Sequence, residues 1–234
     1  MNSRRQAIVL AAGQGKRLQP LTDETPKTLL DVGGAAILEH ILGALETTGY
    51  ERAVVVTGFG NEQIETHCQP RENLDVEFVH NEQFDSTNNI YSLWLAKEYA
   101  TDGFTLINSD TLFPASSLEE LQQTEGSALL VDTEKELDDE EMQVAFGSDT
   151  ITDISKEIDG DGEYIGVSKF TAEDATALFE HIEAFIDRGD VNDWYEAAFD
   201  RLFDDASVGF VRVEGPWAEI DTPEDLERAR TQWE

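Results

Sequence analysis

Ile8-Val-Leu-Ala-Ala-Gly-Gln-Gly-Lys-Arg-Leu-Gln-Pro-Leu21 is the stretch whose reading decides the fold. Residues Ala7 to Ala12 are continuously apolar, which predicts a strand over Gln6–Ala12 buried on both faces. The strand runs out in small residues, so backbone can approach a ligand closely, and Gly13 and Gly15 permit a tight turn of exposed N–H groups. Lys16 and Arg17 then add positive charge, which is chemistry for a polyphosphate. Two familiar phosphate loops do not fit. The dinucleotide fingerprint needs a third glycine where Leu18 stands, and the P-loop needs four residues between its glycines and Ser or Thr after the lysine.

Outward from this strand the chain alternates strand and helix. Helix is predicted over Ala36–Thr47, with Ile37, Leu38, Ile41, Leu42 and Leu45 on one face, and over Asn61–His67 and Asn89–Ala100. Strands are predicted over Ala53–Thr57, Leu74–His80 and Phe104–Asn108. Such alternation implies a mostly parallel sheet with helices on both faces. After Ser127 the strands shorten, near Ala128–Val131, Gln143–Phe146, Thr150–Ile154 and Tyr164–Phe170. Helices over Ala172–Arg188 and Asn192–Phe203 follow, then a strand over Ser207–Val213. The last helix has a clear start: Thr222 as N-cap, Pro223 in the first turn, and Glu224 and Asp225 complementing the helix dipole. The acid run Asp132-Thr-Glu-Lys-Glu-Leu-Asp-Asp-Glu-Glu141 reads as a solvated surface loop.

The 234 residues carry 50 Asp and Glu against 16 Lys and Arg, a net charge of -34, yet 40% are hydrophobic, enough for a sizeable core. Binding to a nucleic-acid backbone or an anionic membrane is excluded by this self-repulsion. The surface instead suits concentrated salt, where charges are screened over roughly 3 Å at 1 M. Residues 1–60 hold six acids and six bases, so the whole excess lies beyond them. The neutral segment contains the glycine loop, as expected if its basic residues face an anion. Cys68 is the single cysteine, which excludes a disulfide or a Cys-based zinc cluster within one chain. Arg4-Arg5 before an apolar run suggests a twin-arginine signal, but six apolar residues are too few, and a cytoplasmic protein is expected.

The whole string Leu10-Ala-Ala-Gly-Gln-Gly-Lys-Arg-Leu-Gln-Pro-Leu-Thr22, with Pro26-Lys27-Thr-Leu-Leu-Asp-Val-Gly-Gly34, resembles the signature of nucleotidyltransferases that activate sugar-1-phosphates and phospho-alcohols. The resemblance implies a single-domain, three-layer αβα fold with a Rossmann-like, mostly parallel mixed sheet. Residues 1–126 would form the nucleotide-binding half and 127–234 the acceptor-binding half. It also implies Arg17 and Lys27 as catalytic contacts to the phosphates, and Leu10, Ala11, Ala12, Gly13, Gly15 and Lys16 as nucleotide-binding residues.

Asn81-Glu-Gln-Phe-Asp-Ser-Thr-Asn-Asn-Ile-Tyr-Ser-Leu-Trp-Leu-Ala-Lys97 looks like a segment of the LicC-type CTP:phosphocholine cytidylyltransferases. By that resemblance CTP is the donor, and Asn88, then Asn89, contact the cytosine. Ile107-Asn-Ser-Asp-Thr111 ends a strand, where ligands gather in parallel sheets. Asp110 there and Asp221 in Glu219-Ile-Asp-Thr-Pro-Glu-Asp225 match the family's metal-binding carboxylates, implying Mg²⁺. Without a cation the two are expected to repel. Ile154-Ser-Lys-Glu-Ile158 and Gly162-Glu-Tyr-Ile-Gly-Val-Ser-Lys-Phe170 resemble the acceptor-binding hairpin, with Lys156 on the acceptor phosphate.

A choline-like acceptor wants an aromatic cage with nearby acids. Tyr164, Trp194, Tyr195 and Trp217 are its candidates, and Glu219 a candidate neighbour. The phosphocholine enzymes place an aromatic just before Glu-Ile-Asp. Ala218 stands there instead, and strand alternation puts Trp217 on the opposite face. The implied reaction moves CMP from CTP to a phosphocholine-like phosphate monoester. Rival readings are a sugar-1-phosphate or inositol-1-phosphate nucleotidyltransferase and a non-catalytic nucleotide sensor.

Overall fold

The computed structural model describes residues 5–233, so Arg4 of the Arg4-Arg5 pair lies outside the described residues. The elements in chain order begin with β1 (Gln6–Ala11), two short strands β2 (Asp31–Val32) and β3 (Ala35–Ala36), α1 (Ile37–Thr47), β4 (Arg52–Thr57) and α2 (Asn61–His67). Next come β5 (Asp75–His80), α3 (Asn89–Leu95), β6 (Phe104–Asn108), β7 (Thr111–Leu112) and α4 (Ala115–Gln123). The second half holds β8 (Ala128–Asp132), β9 (Gln143–Phe146), β10 (Ile151–Ser155), β11 (Gly162–Phe170), α5 (Ala172–Arg188) and α6 (Glu196–Asp205). It closes with β12 (Gly209–Arg212), β13 (Ala218–Glu219) and α7 (Pro223–Gln232).

The main sheet runs β10-β9-β11-β6-β1-β4-β5, with β8 joined to β11 and β12 to β8. Strands β6, β1, β4 and β5 are parallel, and β11 turns the sheet antiparallel where it meets β6. Every residue of β1 is buried. Its side chains divide as a two-faced strand requires: Ala7, Val9 and Ala11 pack into one core with α1, α4 and α7, while Ile8 and Leu10 pack into the other with α3, α5 and α6. That division makes the three layers. Pairing of Leu10 with Asn108 and Ala11 with Thr57 brings the ends of β1, β6 and β4 to one edge, so the loops after them share one rim.

The predicted elements hold with instructive exceptions. The Asn89–Ala100 helix breaks at Ala96 into a separate 3₁₀ turn, and α6 starts at Glu196 rather than Asn192. Helix α4 was not predicted: its apolar pattern is only Leu118 and Leu121 among polar residues, and those two are fully buried. Thr222 forms a full capping box with Asp225, worth about 1 kcal/mol. The pair β7 and β13 was also unforeseen, since two-residue strands have no periodicity to read. It sets Thr111 beside Glu219 and Leu112 beside Ala218.

Candidate active site

The loop after β1 turns at Gly15, whose φ of 61° belongs to the left-handed region. A Cβ there would lie 2.9 Å from Lys27 Cβ, so glycine lets the loop lie against the segment that carries Lys27. Thr22 Oγ1 donates to Gly15 O at 2.7 Å and fixes the turn. Leu10, Ala11, Ala12, Gly13, Gly15, Lys16 and Arg17 all line one cleft of about 1400 Å³. Asp110, on the turn after β6, lines the same cleft, as do Glu219 and Asp221 between β13 and α7.

The β7–β13 ribbon brings these carboxylates together, reinforced by Ile220 N–H donating to Asp110 O at 3.0 Å. Oxygens of Asp110, Glu219 and Asp221 lie within 4.8 Å of one another. The uncompensated repulsion expected from sequence is not found. Lys27 Nζ sits between them, 2.8 Å from Asp110 Oδ2 and 2.6 Å from Asp221 Oδ1, and Arg17 bonds the other Asp221 oxygen. The reason is the glycine turn, which lays Lys27 against the strand edge. Burial works to lower the Lys27 pKa, but Asp110 and Asp221 outweigh it and hold the ammonium above its ordinary value. Glu219 keeps exposed surface, yet its carboxylate is pushed up to about 8, by restricted solvation first and by the Asp110 and Asp221 charges second. Three hard oxygen donors around a place already taking positive charge fit a divalent cation such as Mg²⁺.

The acid run is a loop, but it is not a purely solvated one. Its residues Asp132, Lys135, Asp138, Glu140 and Glu141 form a cleft wall. Lys135 pairs with Glu141 and lies 2.9 Å from Glu163 Oε2, with both carboxylates buried. Its Nζ is 5.7 Å from the Trp217 ring centroid. Sequence reasoning missed Lys135; a lone lysine inside an acid run was the available signal. Trp217 lines the cleft, contrary to the alternation argument, because β13 begins only at Ala218. Its Nε1–H donates to Asp132 Oδ2 at 2.7 Å.

The remaining candidates lie around β10, β11, α3 and the turn into α6. Lys156 lines the cleft, donates to Glu140 O, and places its ammonium 4.7 Å from the centroid of the Trp194 ring. Trp194 is 44% exposed. Tyr164 is a buried part of the wall, its hydroxyl 3.0 Å from Ser168 Oγ. Tyr195 is not a cage residue: it is fully buried, absent from the cleft lining, and donates its hydroxyl to Asn108 Oδ1 at 2.9 Å. The two amides assigned to cytosine are engaged in fastening α3. Asn88 Oδ1 accepts from Asn89 N–H and its Nδ2 donates to Asn192 O, while Asn89 Oδ1 accepts from Tyr195 N–H. Both still border the cleft.

With this geometry in place, comparison with known proteins decides the family. The profile of the MobA-like NTP transferase domain matches residues 7–194. The chain belongs to that family of nucleotidyltransferases. It is 34% identical over 107 residues, 46% of the chain, to a choline-phosphate cytidylyltransferase of Streptococcus pneumoniae, covering 45% of that protein. It is 40% identical over 102 residues, 43% of the chain, to a 2-aminoethylphosphonate cytidylyltransferase of Lancefieldella rimae, covering 40% of that protein. The curated relatives are matched over half their own length or less. The inositol-1-phosphate CTP transferase of T. maritima superposes with a TM-score of 0.81 at 25% identity, covering 99% of this chain and 97% of that one. These likenesses place the nucleotidyltransferase's mixed sheet and single domain in a shared fold, and its cleft in a family of NTP-using transferases. Among the described residues no helix is long and apolar enough to cross a membrane.

Proposed function

We propose that this nucleotidyltransferase moves CMP from CTP to the phosphate of a small phospho-alcohol and releases pyrophosphate, with Mg²⁺ as cofactor. The observation that carries the reading is the Lys27 ammonium held between Asp110 and Asp221 beside the glycine loop. It joins a polyphosphate cradle to a cation-binding carboxylate pair in one cleft. Residues 1–126 supply the nucleotide side and 127–234 most of the acceptor side. Backbone from Leu10 to Gly15 and the Lys16 and Arg17 side chains cradle the triphosphate, and the base lies toward the start of α3 where Asn88 and Asn89 border the cleft. An acceptor phosphate oxygen bonds to the α-phosphorus of CTP, the bond from that phosphorus to the bridging oxygen breaks, and the electron pair leaves with pyrophosphate.

Little covalent work falls to the protein. It aligns two anions that repel and balances the charge that builds between them, using Arg17, Lys27 and Lys156. Asp110 and Asp221, with Glu219 beside them, would hold the Mg²⁺, which when bound supplies positive charge to phosphate oxygens. Cytidylyltransferases for choline phosphate and 2-aminoethylphosphonate and an inositol-1-phosphate CTP transferase support CTP, while a UTP–glucose-1-phosphate uridylyltransferase of Haloferax volcanii, 35% identical over 111 residues, represents the rival branch. Measuring pyrophosphate release for each NTP against a panel of phosphate monoesters tests the reading. CTP should give the largest specificity constant, since a buried base hydrogen bond lost is worth about 1–3 kcal/mol. A much larger constant with UTP or dTTP would transfer the enzyme to the sugar-1-phosphate branch.

The charge pattern supports a second part of the proposal, that the enzyme works inside a cell holding concentrated salt. With a net charge of -34, its stability should depend on screening. The melting temperature followed by circular dichroism should rise steeply between dilute buffer and about 2 M KCl. An unchanged melting temperature across that range would remove the argument.

A further inference from the structure

Glu196 opens α6 and lines the cleft beside Lys156, Trp194 and Asn89, and none of the preceding chemistry uses it. It is only 6% exposed. Its Oε2 is buried with no hydrogen-bond partner. A first-turn acid that served only the helix dipole would face water or satisfy both oxygens. Leaving a buried acceptor atom unpaired is costly, and a protein tolerates it where a ligand supplies the missing donor. Burial pushes this carboxyl up to about 7, against the smaller opposing effects of its own backbone N–H and of the Lys156 charge. A positive donor arriving at Oε2 would therefore be welcome twice, as a proton and as a charge.

The neighbouring Trp194 face already accepts an ammonium, that of Lys156 at 4.7 Å. Glu196 is also tied to the reacting end of the cleft. Tyr195, the preceding residue, donates its hydroxyl to Asn108 at the end of β6, two residues before Asp110. Asp110, Lys156, Trp194 and Glu196 line the same cleft, so an acceptor's phosphate and its head group can occupy it together.

We propose that Glu196 selects the acceptor by receiving, at Oε2, an N–H bond from a primary ammonium head group, so that the acceptor is a 2-aminoalkyl phosphate. The assignment rests on the cytidylyltransferase reading and adds the head group. A quaternary ammonium has no N–H to give and would leave Oε2 unpaired. A neutral polyol would leave a buried carboxylate without compensating charge. Lys156 would turn from Trp194 to the acceptor phosphate, freeing the aromatic face for the incoming cation.

The test is steady-state kinetics with CTP and Mg²⁺ on three acceptors: 2-aminoethyl phosphate, phosphocholine and inositol-1-phosphate. The wild-type enzyme should give the highest kcat/KM with 2-aminoethyl phosphate. Glu196→Gln should cut that value by about 30- to 100-fold, the size of one charge-assisted hydrogen bond, mostly through the acceptor KM and with the CTP KM unchanged. Its ranking should move toward inositol-1-phosphate. Glu196→Asp, which keeps the charge, should preserve the original ranking at lower efficiency, and a merely structural role would lower all three acceptors together. The proposal is overturned if phosphocholine or inositol-1-phosphate is the better wild-type acceptor, if Glu196→Gln leaves the ranking intact, or if its effect falls on the CTP KM. Pyrophosphate release with none of the three, or with UTP in place of CTP, would instead overturn the underlying cytidylyltransferase reading, and the head-group assignment with it.

Discussion

Replacing either Asp110 or Asp221 by Asn should lower kcat by about 10³-fold or more at saturating Mg²⁺ and nucleotide. The substitution keeps the side chain's shape and removes one of the charges of the proposed cation site. The effect belongs in kcat because charge complementarity matters most where phosphate charge redistributes in the transition state. The two variants should differ in one respect. Asp221 also bonds Arg17, so Asp221→Asn additionally frees that guanidinium and should raise the KM for CTP more than Asp110→Asn does. Neither should be stabilised in the absence of metal, since Lys27 already compensates the pair and would lose one of its two partners. Near-normal kcat in either variant at high Mg²⁺ would exclude this pair as the cation site.

Lys27→Ala should lower kcat by about 10²- to 10³-fold, the usual cost of one preorganised charge in a transition state. Stability should change as well. The Lys27 side chain is 12% exposed and offsets the repulsion between Asp110 and Asp221, so its loss leaves Asp110 without its ammonium partner and Asp221 with Arg17 alone. The melting temperature of the variant should fall in metal-free buffer and recover when Mg²⁺ is added. Activity should not recover, because a metal restores the charge balance of the pair but not the ammonium aimed at phosphate. Thermal melts with and without Mg²⁺, beside kcat on the same preparations, separate the two effects. Activity within about tenfold of wild type would show that Lys27 only supports the carboxylates.

The local features of this protein were legible in its sequence because each is set by a few neighbouring residues. The unbroken apolar run Ala7–Ala12 dictates a strand buried on both faces, and Gly13-Gln-Gly15 permits the tight left-handed turn that follows it. Thr222-Pro-Glu-Asp225 dictates a capped helix start. The regular alternation up to Asn108 gave the parallel half of the sheet for the same reason, a periodicity that needs no knowledge of distant residues. What only tertiary structure decided is which distant residues meet. Asp110 and Asp221 come together through a two-residue ribbon too short to show any period, and Lys27 enters between them because a left-handed glycine turn lays one segment on another. Composition made the Asp132–Glu141 run look like solvated loop, while buried Glu141 and Glu163 claim its one lysine and draw it into the cleft wall. Glu196 is the sharpest case. In sequence it is one acid among 50, and only the packing of α6 against the sheet strips it of water and leaves one oxygen without a partner. Burial and unmet hydrogen bonding are properties of the assembled chain, since they depend on atoms far apart in sequence occupying the same few ångströms.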